Sequence, residues 1–178
     1  PINKKVIQYR GFNYNVFDYK KPSVISKKID ILSFKNILTC DRKVNQDNTI
    51  VAKCEKYYTF LKMRKSYNNF SKEDIDYVLN VAKNLIEMEI FKEKYLNHGD
   101  ISKTNIIVSK NKSYLIDFDE VLITTPLYDF AVIIVKLCTK NNKINLEKYE
   151  KLKGIMKEKY IQYSDDDYKF AVEFYLCK

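Results

Sequence analysis

The sequence predicts a mainly helical α+β domain in which a small β-hairpin sits among the helices. Three observations predict it. From residue 49 onward most of the chain follows helical hydrophobic periodicity. Two short apolar runs, Ile106-Ile107-Val108 and Tyr114-Leu115-Ile116, flank the turn residues Asn111 and Lys112. The N-terminal stretch alternates aromatic and polar residues as strands do. With 178 residues, 46% hydrophobic content and 15 tyrosines, the chain can bury a core as one domain or as one lobe of a larger one.

Val6-Ile7-Gln8-Tyr9 reads as a strand running into an Arg10-Gly11 turn. Phe12, Tyr14, Val16 and Asp18 then alternate with Asn13, Asn15 and Phe17 as a second strand. Pro22 and Ser23 interrupt, and a short helix is expected from Ser26 to Cys40. Asn45 to Asn48 is polar and loop-like. Thr49 is placed to cap a helix through Lys65, with Ile50, Val51, Cys54, Tyr57, Tyr58 and Leu61 on one face. Ser71 and Asp74 form a capping-box pattern for the next helix. Its apolar face runs from Ile75 to Ile90, and its end is expected near Tyr95. Pro126 suits a first helical position, and Phe130 to Cys138 continues as an almost wholly apolar, hence buried, helix. Asn141-Asn142 breaks it. Leu146 to Tyr163, strongly charged and therefore expected at the periphery, and Asp167 to Cys177 complete the helices. The acids Asp165-Asp166-Asp167 fit a helix start, where negative charge offsets the helix dipole.

The net charge of +9 raises the question of nucleic acid. The lysines are scattered among acids rather than gathered on one stretch, which argues against a dedicated nucleic-acid binder. No apolar run approaches the roughly 20 residues of a membrane span, and Pro1-Ile2-Asn3-Lys4-Lys5 is no signal-peptide start. A cytoplasmic protein is expected. Cys40, Cys54, Cys138 and Cys177 lack zinc-like spacing and read as buried thiols.

The chemistry is concentrated between His98 and Asp119. His98-Gly99-Asp100 is followed by Asn105, and the returning strand of the hairpin ends in Ile116-Asp117-Phe118-Asp119. Phosphoryl transfer to a hydroxyl needs positioning and charge neutralisation more than covalent chemistry. Asp100 is placed to accept the hydroxyl proton. Asn105 and Asp117 offer the hard oxygen donors that Mg²⁺ prefers. His98 reads as the brace of this catalytic loop, bonding backbone near Asp117, and Gly99 allows the tight turn beside it. Lys103 is a candidate phosphate contact.

These motifs resemble the C-lobe core of the aminoglycoside phosphotransferase and choline kinase group, relatives of the protein kinases. The likeness rests on His98-Gly99-Asp100, Asn105, Ile116-Asp117-Phe118-Asp119 and Pro126-Leu127-Tyr128-Asp129-Phe130-Ala131. It implies ATP and Mg²⁺ as cofactors and a small-molecule hydroxyl as acceptor. It implies Asp100 as base, Asn105 and Asp117 as metal ligands, Asp119 as an accessory acid at the metal and Asp129 as a buried brace. It also implies a division of the chain. Residues 1–20 would be the last strands of an N-lobe and its hinge, with Phe17, Asp18 and Tyr19 against the nucleotide. Residues 21–178 would be the helical C-lobe.

The long helix leading into His98-Gly99-Asp100 and the Ile-Asp-Phe-Asp run give the closest likeness to CotS-type spore-coat proteins. No Gly-rich phosphate loop and no strand lysine paired with a helix glutamate is found, so most of an N-lobe is expected to be missing from this chain. Two functions follow from the resemblance. One is a phosphotransferase. The other is a non-catalytic binding or structural protein on the same fold, such as a spore-coat component.

Overall fold

The computed structural model describes residues 5–9, 12–16, 34–39, 42–63, 71–109 and 112–177. Strands β1 (Lys5–Tyr9) and β2 (Phe12–Val16) pair antiparallel, with Tyr9 opposite Phe12, as the alternating pattern predicts. Phe17, Asp18 and Tyr19, expected at a hinge, lie outside the described residues, as does most of the helix expected from Ser26; its described part is α1 (Lys35–Thr39).

Helix α2 (Thr49–Met63) takes in Thr49, the expected cap, as its first residue, and the cap is one residue earlier. Asn48 Oδ1 accepts from the amides of Ile50 at 3.0 Å and Val51 at 3.1 Å. Its Nδ2 donates to the carbonyls of Phe91 at 2.6 Å and Glu93 at 2.8 Å. Thr49 is drawn away from capping because its hydroxyl accepts the Ile123 amide at 2.9 Å. Asn is also a better cap than Thr, since its amide satisfies donors and acceptors at once.

Helix α3 (Lys72–Glu87) starts on the complete Ser71/Asp74 capping box. It ends well before Tyr95. Met88 turns extended, a single 3₁₀ turn covers Glu89–Lys92, and Tyr95–Asn97 forms strand β3. β3 pairs antiparallel with β6 (Leu122–Thr124). Ile90 keeps the helical hydrophobic rhythm from the 3₁₀ turn, where it packs against the core. The demand that ended the helix is a pairing with residues far along the chain, which local periodicity does not contain.

Strands β4 (Ile106–Ser109) and β5 (Lys112–Leu115) form the expected hairpin, with Ile106 opposite Leu115. Helix α4 (Leu127–Leu137) follows Pro126, which occupies the cap position rather than the first turn. Every residue from Leu127 to Ile134 is buried. α4 packs along α6 (Asp165–Cys177) and touches α5 (Leu146–Lys157). Between α4 and α5 lies a hairpin that the sequence reading took as a simple break. β7 (Thr139–Lys140) and β8 (Lys143–Ile144) turn through Asn141 and Asn142, at φ 50° and 58°. Two consecutive positive φ angles make the tight turn that suits a two-residue hairpin, and asparagine tolerates them.

Helix α5 is shorter and less peripheral than its charge suggests. It stops at Lys157, and Tyr149, Leu152, Ile155 and Met156 are buried on its inner face. Beyond it, Tyr160 and Tyr163 are buried in turns, their rings stacked 5.6 Å apart. The Tyr163 hydroxyl donates to Glu93. Ser164 and Asp167 then cap α6 reciprocally, with Asp167 N to Ser164 Oγ at 3.2 Å and Ser164 N to Asp167 Oδ2 at 2.7 Å.

The core lies where α4 meets α5, α6 and the 3₁₀ turn. Phe130 meets Tyr168 and Tyr149 edge-on at 5.1 and 5.6 Å, and Phe91 meets Phe170 at 5.5 Å. Cys54 and Cys138 are buried free thiols, and burial pushes the Cys138 thiol up. Among the described residues no helix is long and apolar enough to cross a membrane.

Asn48 ties the start of α2 to the chain just after α3. Asn48→Ala is therefore expected to lower stability by about 2–3 kcal/mol, the loss of a cap together with two carbonyl bonds. Urea unfolding monitored by circular dichroism measures it. A loss below about 0.5 kcal/mol would show that these bonds are replaced by water at no cost.

Candidate active site

The site is built on the segment joining β3 to β4. Asn97 closes β3, fully buried. Its amide donates to the Tyr95 and Thr124 carbonyls at 2.9 and 3.1 Å, and its oxygen accepts the Asp129 amide at 3.4 Å. The chain then turns at Gly99, whose φ is +83°. A Cβ on Gly99 would stand 2.1 Å from the carbonyl oxygen of Glu120. Both the backbone angle and the close approach require glycine there.

Asp129, in the first turn of α4, holds this turn from beneath. It is 0% exposed. Its Oδ2 accepts the His98 amide and its Oδ1 the Gly99 amide, each at 3.0 Å. Arg42 Nη1 meets Oδ2 at 2.5 Å. A carboxylate out of water is tolerable only when it is paired and hydrogen-bonded in this way.

His98 links two loops. Its Nε2 lies 2.9 Å from the Ile116 carbonyl, and its Nδ1 lies 3.3 Å from the Asp100 amide nitrogen. A carbonyl can only accept and an amide N–H can only donate. The imidazole therefore carries its proton on Nε2 and accepts at Nδ1. With both nitrogens committed to backbone, the ring is suited to bracing. Phe118 covers it with ring centroids 4.7 Å apart.

Asp100 has both carboxylate oxygens engaged. Asn105 Nδ2 donates to Oδ2 at 3.0 Å and to the Asp100 carbonyl at 2.9 Å, while Lys136 Nζ donates to Oδ1. The Lys136 hydrogen bond holds the Asp100 carboxyl below the ordinary range, against the opposing effect of partial burial, and Asn105 adds to it. The same bond raises Lys136, although desolvation pulls the other way.

Asn105 is 6% exposed, and its carbonyl accepts the Ile116 amide at 3.0 Å, which fastens the loop to the end of β5. Because Nδ2 faces two acceptors, the amide orientation is settled. Oδ1 is left to the Thr104 hydroxyl at 3.3 Å. Asp117 follows Ile116 at φ 63° and is exposed. Among the described residues no hydrogen bond or ion pair engages its carboxylate or that of Asp119.

The donor chemistry fits Mg²⁺, which uses one or two protein oxygens and completes its shell with phosphate and water. Asn105 Oδ1 and the Asp117 carboxylate are such oxygens. No three His, Cys, Asp or Glu side chains cluster as a metal cage among the described residues. Asp119 is thus not joined by two further acids. Lys103 is exposed on the 3₁₀ turn Lys103–Asn105, its ammonium pointing to no described partner.

Two residues were missed by sequence reading, Arg42 and Lys136. Arg42 carries no local signal, because its contact with Asp129 joins residues 87 apart. Lys136 did carry one. It lies seven residues after Asp129 in an otherwise apolar helix, so the two polar residues share a helix face.

Residues 70–154 match the sequence model of the phosphotransferase enzyme family. That span contains α3, the loop from His98 to Asn105, the β4–β5 hairpin and α4. The choline kinase LicA from Streptococcus pneumoniae shares the fold at a TM-score of 0.61, with 16% identity over 96% of this chain and 61% of its own. LicA in complex with AMP gives 0.61, 15%, 96% and 60%. A ternary complex of streptomycin, ATP and APH(2'')-IIa gives 0.59, 15%, 98% and 66%. A comparison with curated proteins returns no match. The fold is thus that of the aminoglycoside phosphotransferases and choline kinases, and the resemblance read from the motifs stands. The chain spans about 60% of the length of the LicA structures it matches.

Asp129→Ala should cost about 3–5 kcal/mol, since it breaks a buried ion pair and leaves the His98 and Gly99 amides without their acceptor. Removing Arg42 as well, as Arg42→Met/Asp129→Ala, should cost less than the two single losses added together. A double-mutant cycle by chemical denaturation reads the coupling. Strict additivity would mean that the pair does not act as a unit.

Proposed function

We propose that this chain carries the base and metal ligands of an ATP- and Mg²⁺-dependent phosphotransferase acting on a small-molecule hydroxyl. The observation that supports it best is the state of Asp100. Its carboxylate is held on both oxygens, partly open to solvent, in a loop braced by Asp129 below and His98 beside. A base must be fixed and ionised before the hydroxyl arrives. In this reading an incoming hydroxyl donates to Asp100, which orients its oxygen toward the phosphorus and takes its proton as transfer proceeds.

Asn105 and Asp117 would hold Mg²⁺, which when bound neutralises charge on the nucleotide phosphates. Asp119 would assist at the metal from the adjoining turn. Lys103 is assigned to phosphate, and Phe17, Asp18 and Tyr19 to the nucleotide. The LicA and APH(2'')-IIa structures hold AMP and ATP, and the second also holds streptomycin. They support a nucleotide and a small acceptor here.

Asp100→Asn should lower transfer from Mg·ATP by about 10² to 10⁴-fold, with Mg·ATP affinity by calorimetry little changed. Equal turnover would remove Asp100 from the role of base. Failure of the unsubstituted protein to bind Mg·ATP would instead favour a non-catalytic protein on this fold.

The depressed Asp100 pKa has a definite sign. The base stays ionised from neutral pH down past its ordinary value of 3.8. The stability this group lends is complete above that value and is lost as pH falls through the lower folded value. The rate should therefore show no fall from protonation of Asp100 between pH 8 and pH 5. An acid limb in that interval that vanishes in Asp100→Asn would contradict the assignment.

A further inference from the structure

Lys136 occupies the last turn of α4, where the only acid of the helix, Asp129, lies two turns back on the same face. The two residues grip one loop at two points. Asp129 takes the amides of His98 and Gly99, and Lys136 takes the side chain of Asp100. We infer that Lys136 is a positioning residue of the site, setting the Asp100 carboxylate in a single rotamer by holding Oδ1 while Asn105 holds Oδ2.

Three observations carry this. The first is the division of labour at the carboxylate, one donor for each oxygen, so that swinging the side chain to another rotamer about Cα–Cβ loses both bonds. The second is the packing of the helix that carries the ammonium. Tyr175, on α6, adds to the raised pKa of Lys136, and the Tyr175 ring packs edge-on to the fully buried Tyr128 at 5.7 Å. The helix that carries Lys136 is in turn packed along α6. The third is access. The side chains of Lys136 and Asp100 are 36% and 30% exposed, so the clamp leaves the carboxylate open to an acceptor.

A lysine at a helix C-terminus also favours the helix dipole, and an ion pair this exposed adds little to stability. Neither effect requires Lys136 to reach Asp100. Positioning does, because a displacement of about 1 Å at a reacting group can lower a rate about 10²-fold.

This inference rests on the phosphotransferase reading for its kinetic part alone. The test uses the full chain with Lys136→Met and Lys136→Arg. Three-bond side-chain couplings of Asp100 in isotope-labelled protein should show one rotamer in the parent and in Lys136→Arg, and averaging over rotamers in Lys136→Met. With Mg·ATP and an accepted hydroxyl compound, Lys136→Met should lower kcat by about 10- to 100-fold, with acceptor KM changed less than about threefold. Lys136→Arg should recover most of kcat. Melting temperatures should agree within about 2 °C, as for a surface substitution.

A single Asp100 rotamer in Lys136→Met overturns the inference whether or not the protein is active. So does rotamer averaging with an unchanged kcat. If the parent protein transfers no phosphate at all, the phosphotransferase reading fails, and the couplings decide the role of Lys136 on their own.

Discussion

The fully buried carboxylate of Asp129 is the constraint on which the rest of the site depends. A charge at that depth is stable only if every oxygen finds a donor. The donors available are Arg42 and the amides of His98 and Gly99. Satisfying Asp129 therefore forces the loop down onto α4, and the loop can comply only because residue 99 is a glycine. The segment from His98 to Asn105 has little regular structure, yet it is fastened to the core through buried side chains.

Helix α4 is the reason this works. Its apolar residues are covered by α5, α6 and neighbouring elements, so its position is set by hydrophobic packing over most of its length. Its two charged residues then project that rigidity into the loop. His98 carries it one step further. Its ring joins the loop to the Ile116 carbonyl, immediately before Asp117. The proposed base and the proposed metal ligands are thus referred to a common frame by two buried side chains, His98 and Asp129, that are each hydrogen-bonded to backbone.

Much of this was legible in the sequence, for reasons that differ from residue to residue. The Ser71/Asp74 box, the apolar stretch at Phe130 and the β4–β5 hairpin are local patterns, and the chain realises them locally. The expectation that His98 bonds backbone near Asp117 matches its 2.9 Å contact with the Ile116 carbonyl. The end of α3 was not readable. Tyr95–Asn97 becomes a strand because Leu122–Thr124 offers it a partner, and no window around Tyr95 contains that information. The Asn141-Asn142 hairpin was visible as a turn signal but not as a pair of strands, since two residues per strand carry no alternation.

The sequence alone determined which chemical groups the site contains: the carboxylate proposed as base, the amide and carboxylate proposed for a hard cation, and a glycine beside the histidine. These follow from residue types at short spacing, which folding cannot change. Tertiary structure decided how those groups are held. Arg42 under Asp129, Lys136 on Asp100 and Asn48 across the end of α3 join residues tens of positions apart. Such contacts depend on how helices pack against one another, and packing is a property of the whole folded chain rather than of any segment of it.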